Sequence, residues 1–442
     1  MKYRIQNVSD MLELPQSTIR YWETKFTQFV SPKRTGNGQR RYSDHDVEQL
    51  KKIKNLLHKK KKSIDEAMTI LKKKKSNPEK IDWRNQTILL TGGTGSFGKH
   101  FCKIMTEKYH PKVIRVYSRD ELKQHEMRQQ FGEEHIRYFI GDIRDSDRLK
   151  RAMEGVDIVI HAAALKQVPA CEYNPLEAIK TNIHGAQNLI DAAIDTGVKK
   201  VMALSTDKAA NPVNLYGATK LCAEKIIIQG NAYAGTRETK FSCVRYGNVL
   251  GSRGSVIPVF KKQKKTGKIT ITDKRMTRFW LTLDQAVQLV IDGLNNMQGG
   301  EIFIPKIPSM KVMDLAKAVA PECEIQIIGI RPGEKLHEIL ITEEEGFNAV
   351  DYKGMYVIMP HYSWWENRKY STCKKMPDGF HYTSKENKEW LTVDNLKKII
   401  TEAPVNDNDF STEFASKIHR LQEGIILNML NAEEGTSAPQ EI

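Results

Sequence analysis

Long apolar runs are missing from this chain. Nowhere in its 442 residues is there a stretch of about 18 apolar residues, the length that a membrane-crossing helix needs. The opening MKYRIQNVSDMLELP is too polar for the core of a secretory signal, so a cytoplasmic location is expected. Cysteine is scarce: Cys102, Cys171, Cys222, Cys243, Cys323 and Cys373 are scattered, with no CxxC pair. That spacing speaks against a disulfide framework and against a metal centre, and it predicts buried free thiols. No internal repeat is present.

What is present is length and uneven charge. At roughly 100–200 residues per domain, the length implies two to four domains. The net charge is +15, and residues 1–80 hold most of it, with 20 Lys and Arg against 9 Asp and Glu. A basic segment of this kind points either to a polyanion partner or to a solvated lysine-rich face.

Residues 1–76 read as short helices around a turn-rich break. One helix lies near Val8–Leu12, and a second starts at Ser17 or Thr18 and runs through Ile19, Tyr21, Trp22 and Phe26. SPKRTGNGQRRY, residues 31–42, has the composition of a hairpin or wing. Ser43 is an expected N-cap before Val47, Leu50, Ile53, Leu56 and Leu57, and Ser63 with Glu66 forms an expected capping box. A linker over 77–84 follows. From Thr87, β-rich runs alternate with helical stretches: Thr87–Leu90, Val113–Tyr117, Ile136–Ile140, Asp157–His161, Lys200–Ser205 and Phe241–Val244. This alternation predicts an α/β fold over 85–400, a Rossmann-type doubly wound parallel sheet. Residues 250–360 are expected to form a smaller substrate lobe, and 401–442 a tail with one amphipathic helix around 414–430.

The first strand runs into TGGTGSFG, where Gly92, Gly95 and Gly98 stand between strand and helix. Glycines there let the backbone approach a pyrophosphate, and the helix N-terminus favours its charge. Thr94, Ser96 and Phe97 complete the loop. The second strand ends in Ser118, Arg119 and Asp120. A lone acid would favour NAD, whereas Arg119 beside Ser118 suits a 2′-phosphate, so NADP is the expected cofactor. Asp142 and Ile143 fall where an adenine edge would lie, and Ala162 and Ala163 leave room for the cofactor. Tyr216 and Lys220 are spaced four apart on a predicted helix and share a face. Lys220 is expected to hold a ribose and lower the phenol pKa, making Tyr216 a proton acceptor for alcohol oxidation.

HAAALKQVP (161–169), STDKAANPVNLYGATK (205–220), RYGNVLGSRGSVIP (245–258) and RPGEKLHE (331–338) narrow the reading. Over about residues 85–400 the chain resembles the inverting UDP-N-acetylglucosamine 4,6-dehydratases of pseudaminic acid biosynthesis, which are extended short-chain dehydrogenases/reductases. The resemblance implies a redox-neutral lyase. NADP⁺ takes hydride from carbon 4 while Tyr216 takes the hydroxyl proton. Lys208 removes the carbon 5 proton, Asp207 protonates the leaving hydroxyl at carbon 6, and hydride returns to carbon 6. Thr206 joins this catalytic set. More familiar hexose 4,6-dehydratases carry Asp-Glu where this chain has Asp-Lys. A lysine base needs a depressed pKa, which burial and Lys220 would supply. Lys123, Lys166 and Val249 join the cofactor-facing set. Lys166 and Asn248 are the implied sugar or phosphate contacts, Arg253, Arg331 and Glu334 the implied uridine diphosphate contacts, and Arg278 either reaches the same group or forms a structural ion pair. Long membrane-anchored relatives tend to have Met in place of Tyr216.

Residues 3–71 resemble the winged helix-turn-helix of MerR-type regulators, through Tyr3-Arg4-Ile5, the run Ser17–Glu23 and the run Gly38–Tyr42. The resemblance aims Ser17, Thr18, Arg20 and Tyr21 at a DNA groove, with Arg40 and Arg41 on phosphates. Tyr21 and Trp22 also fit the commoner role of core aromatics. Lys59–Lys62 would add salt-sensitive affinity. MerR proteins usually continue into a long dimerisation helix, absent here, so a homo-oligomer of the enzyme would have to pair two such heads. Two alternatives stay open. One is a regulator whose dehydratase-like part senses nucleotide sugar or NADP(H). The other is a dehydratase that retains configuration at carbon 5 or releases a 5,6-ene.

Overall fold

The computed structural model describes residues 3–35, 38–68, 71, 80–250, 256–362, 365 and 369–402. The chain divides into two compact units, Met1–Lys80 and Ile81–Ile442. The expected linker over 77–79, Arg253 and the tail helix around 414–430 lie outside the described residues. Among the described residues, no helix is long and apolar enough to cross a membrane.

The first unit is helical with a small hairpin. Helices α1 (Ile5–Leu12) and α2 (Gln16–Lys25) precede strands β1 (Lys33–Arg34) and β2 (Arg40–Arg41), which pair antiparallel. Helix α3 (Asp44–Lys54) follows, and Ser43 caps it: Ser43 Oγ accepts from the Asp46 amide at 3.2 Å, and Asp46 returns a bond to the Ser43 amide at 2.8 Å. The expected Ser63–Glu66 box is present, with reciprocal bonds of 2.9 and 3.1 Å. Apolar residues at helical spacing meet in one core, with Val8, Ile19, Trp22, Phe26, Leu50 and Ile53 all buried. Burial of this size is what lets so short a unit hold together.

The second unit is built on a ten-stranded sheet. Its strands include β3 (Thr87–Thr91), β4 (Val113–Ser118), β5 (Ile136–Ile140), β6 (Ile158–His161), β7 (Lys200–Thr206) and β8 (Lys240–Tyr246). With β12 (Ile302–Pro305) they run parallel in the order β12-β8-β7-β6-β3-β4-β5. Strands β16 (Ala349–Tyr352), β17 (Met355–Ile358) and β18 (Lys374–Lys375) extend it antiparallel. The order reverses between β3 and β6, and the crevice there is where doubly wound sheets bind ligands. Helices α4 (Ser96–Ile104), α5 (Glu121–Phe131), α6 (Ser146–Met153), α7 (Gly185–Asp195), α8 (Leu215–Tyr233) and α9 (Leu283–Asn296) cover the sheet. Five of them form two groups, α4 with α9, and α6 with α7 and α8.

Residues 250–360 do not form one separate lobe. Strand β12 is an apolar run buried on both faces, so it joins the main sheet together with β16 and β17. The smaller lobe keeps β10 (Lys268–Ile271) paired with β14 (Glu324–Ile327), and β9 (Asn248–Val249), β11 (Thr277–Leu281) and β13 (Ser309–Lys311) in a second sheet. Strands β15 (Ile339–Ile341) and β19 (Tyr382–Thr383) form a short antiparallel pair. The lobe's own core includes Ile257, Phe260, Trp280, Met310 and Leu315. All six cysteines are free thiols, but the expectation of burial holds only for Cys102, Cys171 and Cys243; Cys323 and Cys373 are half-buried, and Cys222 is exposed on α8.

Candidate active site

A cavity of about 680 Å³ opens at the carboxyl ends of β3, β4, β6 and β7. Its floor is the loop between β3 and α4. Gly92 has φ +65°, and a Cβ on it would stand 2.7 Å from the Ala163 amide nitrogen, so only glycine lets the two strand ends meet. No side chain caps α4, whose N-terminus faces the cavity at Gly95 and Ser96. Backbone amides and the helix dipole therefore offer an anion site. This cradle fits the pyrophosphate of a dinucleotide.

Thr94, Phe97, Gly98, Ser118, Arg119, Lys123, Asp142, Ile143, Ala162, Ala163 and Val249 also line the cavity. Thr94 Oγ1 and Ser118 Oγ are 2.9 Å apart, which ties the glycine loop to the end of β4. Arg119 Nη1 stands 3.6 Å from Asp142 Oδ2, and its side chain is 58 % exposed. Asp142 is further held by Arg144, whose Nη2 lies at 2.7 Å. Asp120 departs from the expected set. It is not on the cavity wall; it caps α5 through the Lys123 amide at 2.9 Å and pairs with the Lys123 ammonium. The local pull of a free helix N-terminus explains this placement.

Strand β7 delivers the chemistry. Thr206 ends it and caps the turn Asp207–Ala209. Thr206 Oγ donates to Asp207 Oδ1 at 3.0 Å, and Lys208 Nζ donates to the same oxygen at 3.0 Å. Asn214 caps α8, its Oδ1 accepting from the Gly217 amide at 2.8 Å. The helix crosses so close to the turn that a Cβ on Gly217 would lie 2.2 Å from the Lys208 carbonyl oxygen. This close crossing sets Tyr216 against Thr206 and Lys208 on the cavity wall. Lys220, one turn on, donates to the Leu204 carbonyl at 2.7 Å.

The electrostatics differ from the sequence expectation in two ways. Burial works against a charge on Lys208, but Asp207 and Glu338 outweigh it and hold the ammonium above its usual range. Lys220 is not what governs Lys208, so the expected depressed lysine is not found there. Burial pushes the Tyr216 phenol up to about 12, and the largest influence drawing it down is Lys208 rather than Lys220. On the cavity wall, Lys166 is shifted downward by burial and by Lys208, and Lys220 by burial. Asp207 is fully buried, off the cavity wall, and shifted upward by burial and by Glu338.

Lys166 and Asn248 line the cavity, and Asn248 Oδ1 is buried with no partner. Arg331 and Glu334 stand on an exposed loop off the cavity wall, where the Arg331 amide donates to Glu334 Oε2 at 3.3 Å. Gly333 of that loop accepts from Asn214 Nδ2 at 2.8 Å. Arg278 forms an ion pair with Glu338, Nε to Oε1, at 3.6 Å. Sequence reasoning missed Glu338, which sits 3.5 Å from Lys208 Nζ. It belongs to the RPGEKLHE run, yet nothing in the spacing joins it to Lys208.

In the first unit, Ser17, Arg20 and Tyr21 are exposed on α2 and Thr18 is half-buried. Trp22 is core, but Tyr21 is 49 % exposed, with Lys25 Nζ 5.8 Å from its ring centre. Arg40 does not point freely outward. Its Nε donates to Glu23 Oε2 at 2.7 Å, because the buried Glu23 needs donors and takes Arg40 and the Tyr42 hydroxyl. Arg41 is half-buried opposite Lys33.

Comparison with known proteins agrees with both folds. Residues 88–360 match the polysaccharide biosynthesis protein family, and residues 3–74 match the MerR helix-turn-helix family of regulatory proteins. The chain is 53% identical over 327 residues to the UDP-N-acetylglucosamine 4,6-dehydratase (inverting) of Campylobacter jejuni, spanning 72% of this chain and 98% of that one. It is 44% identical over 282 residues to a protein named UDP-glucose 4-epimerase in Rickettsia massiliae, spanning 62% of this chain and 83% of that one. The crystal structure of Pen from Bacillus thuringiensis superposes with a TM-score of 0.67 at 42% identity, covering 73% of this chain and 99% of that one. This chain therefore belongs to the polysaccharide biosynthesis protein family and is a relative of the inverting UDP-N-acetylglucosamine 4,6-dehydratases, with a MerR-family segment at residues 3–74.

Proposed function

We propose that the second unit is an NADP-dependent hydro-lyase. It converts UDP-N-acetylglucosamine to a UDP-4-keto-6-deoxy-hexosamine with inversion at carbon 5, the opening step of pseudaminic acid-type sugar biosynthesis. The observation that carries the reading is the Asp207–Lys208 pair beside Tyr216, 3.0 Å apart, at the end of β7. A 4-epimerase needs only one proton acceptor at carbon 4. An acid and a base next to it are surplus unless carbons 5 and 6 also react.

When bound, the cofactor supplies hydride acceptance at carbon 4 and hydride return at carbon 6. The protein's residues manage the protons. Tyr216 takes the carbon 4 hydroxyl proton as its phenolate, the form that Lys208 and the Thr206 hydroxyl favour against burial, and Thr206 also bonds Asp207. A proton moving from Lys208 Nζ to Asp207 turns the resting ion pair into a neutral amine and a protonated carboxyl. The amine takes the carbon 5 proton. Asp207, buried behind the cavity wall, protonates the carbon 6 hydroxyl through the Thr206 hydroxyl that lines the cavity, and water leaves. The pair is then an ion pair again. Lys208 returns a proton to the opposite face of carbon 5, and the proton held by Tyr216 restores the balance. Arg119 beside Ser118 supports NADP over NAD, since a guanidinium at the end of the second strand suits a 2′-phosphate. Lys166 and Asn248 take the sugar, while Arg253, Arg331 and Glu334 hold the uridine diphosphate, the last two from a loop that lies off the cavity wall. A cytoplasmic homo-oligomer is the form in which two MerR-like heads would engage double-stranded DNA. The exposed Ser17, Arg20 and Tyr21 on α2 support that second role.

The test is a proton NMR time course with UDP-N-acetylglucosamine in D₂O, without added cofactor and then with NADP⁺. The expected product is a 4-keto-6-deoxy sugar deuterated at carbon 5, with the L-arabino configuration. A sugar inverted only at carbon 4 means an epimerase. An unchanged sugar sinks the catalytic reading and favours a sensor.

A further inference from the structure

The acid–base pair has a third member. Glu338 is 2 % exposed, and its Oε1 lies 3.5 Å from Lys208 Nζ and 3.6 Å from Arg278 Nε. Its backbone is pinned, because its amide donates to Ser384 Oγ at 2.8 Å. Lys208 therefore sits between two buried carboxylates, Asp207 at 3.0 Å on its own turn and Glu338 from the segment after the 331–336 loop. Each carboxylate keeps one buried oxygen without a partner, Asp207 Oδ2 and Glu338 Oε2. A buried carboxylate left half-satisfied is costly, and a structural ion pair would avoid the cost. One carboxylate would be enough to anchor Lys208. The second has a different effect: it acts on the protonation of both neighbours.

We infer that Glu338 is a positioning residue of the dehydration, acting on the substrate only through Lys208 and Asp207 as the fixed negative charge that sets when each holds a proton. This rests on the lyase reading above. Every charged group in contact with the trio enters the balance. Lys208 faces Asp207, Glu338, Arg278 and, more distantly, Lys166; Glu338 also meets Lys335, and its neighbour His337 bonds Thr277 Oγ1. The sign is the same at both partners. A carboxylate beside an ammonium stabilises its charged form, and beside another carboxylate it disfavours ionisation. The shifts at Lys208 and Asp207, both upward with Glu338 among the causes, agree. Glu338 itself stays ionised, since Lys208, Arg278 and Lys335 outweigh its burial.

Removing the charge should therefore move the whole pH window of the reaction. The pair works when it holds one proton, so the rising limb belongs to loss of a second proton from the Asp207 carboxyl, and the falling limb to loss of the one that Lys208 holds in the resting ion pair. In Glu338→Gln both limbs of the kcat/KM profile are expected to shift to lower pH, by roughly one unit or more. Glu338→Asp draws the carboxylate back by one methylene, and its limbs should fall between those of Gln and wild type. Limbs that stay in place while only the amplitude drops mean a structural role, and they overturn the inference. If the Gln variant melts below the assay temperature, the Asp profile decides alone, and superposition on wild type is the overturning result. Wild-type enzyme inactive on the sugar would instead sink the lyase reading, so the two failures are distinct.

Discussion

Arg245, with no exposed surface, forks onto Glu224: Nε donates to Oε1 at 3.0 Å and Nη2 to Oε2 at 2.6 Å. Glu224 lies one turn beyond Lys220 on α8, and Arg245 is on β8. The second fork of Arg245 takes Glu345 at 2.7 and 2.8 Å. One guanidinium thus joins the helix carrying Tyr216 and Lys220 to the chain segment that follows Glu338. Glu224→Ala leaves the buried guanidinium with one carboxylate instead of two, so it is expected to cost less than the about 3–5 kcal/mol of a fully stranded charge in a urea titration. Activity per folded molecule should fall much less than stability.

Asp207 gives a prediction of opposite sign. Its folded pKa is raised, by burial first and then by Glu338. Its charge therefore opposes folding at neutral pH. The opposition is absent below the unfolded carboxylate pKa and grows as pH rises through it. Asp207→Asn, which keeps Lys208 paired with Glu338, is expected to raise the melting temperature at pH 7, with the gain vanishing near pH 4. The same variant should stop both water loss and deuterium entry at carbon 5 of recovered substrate, because Lys208 is left with no Asp207 carboxylate to take its proton. A lower melting temperature at pH 7 would contradict the assigned sign.

Arg119 should decide between the two cofactors. Loss of a charge-assisted hydrogen bond worth about 1.5–3 kcal/mol implies roughly tenfold or more weaker NADP binding in Arg119→Ala. NAD affinity should hardly move. Equal losses for both, read by fluorescence titration, would remove Arg119 from 2′-phosphate recognition.

On the first unit, substitutions should separate by kind. Arg20→Ala is expected to weaken binding to a selected operator by about 1–3 kcal/mol and to relax its sequence preference. Replacing Lys60, Lys61 and Lys62, all exposed, should weaken all duplexes alike and flatten the salt dependence by up to ~0.9 for each phosphate that is no longer neutralised. Anisotropy at several salt concentrations checks both. Arg40→Ala should act mainly on stability, since its guanidinium serves Glu23.

Much of the sheet was legible because its strands are short apolar runs bounded by turn residues. Five of the six expected strands start and end within a residue of the observed ones, and Phe241–Val244 proved longer, as Lys240–Tyr246. Ser43 and Ser63 were legible because capping is local. What was not legible depends on partners distant in sequence. Glu23 claims Arg40 across the first unit, Glu338 reaches Lys208 through the chain's return, and β12 is drawn into the main sheet. Charge on Lys208 was misjudged for the same reason: burial can be guessed from sequence, but a second carboxylate beside it cannot.

The glycine loop also bears on how relatives of this chain are to be judged. A Cβ on Gly98 would come within 2.2 Å of the Gly93 carbonyl oxygen, with no ligand involved. Gly98, like Gly92, is thus demanded by the fold's own packing, and a descendant that had lost its chemistry would still keep both. A surviving Gly92 and Gly98 testifies only to ancestry. The half-satisfied oxygens of Asp207 and Glu338 are different: they burden the fold, so drift would erase them once catalysis ceased to matter. Their persistence is the better marker for telling a working enzyme from a retired one.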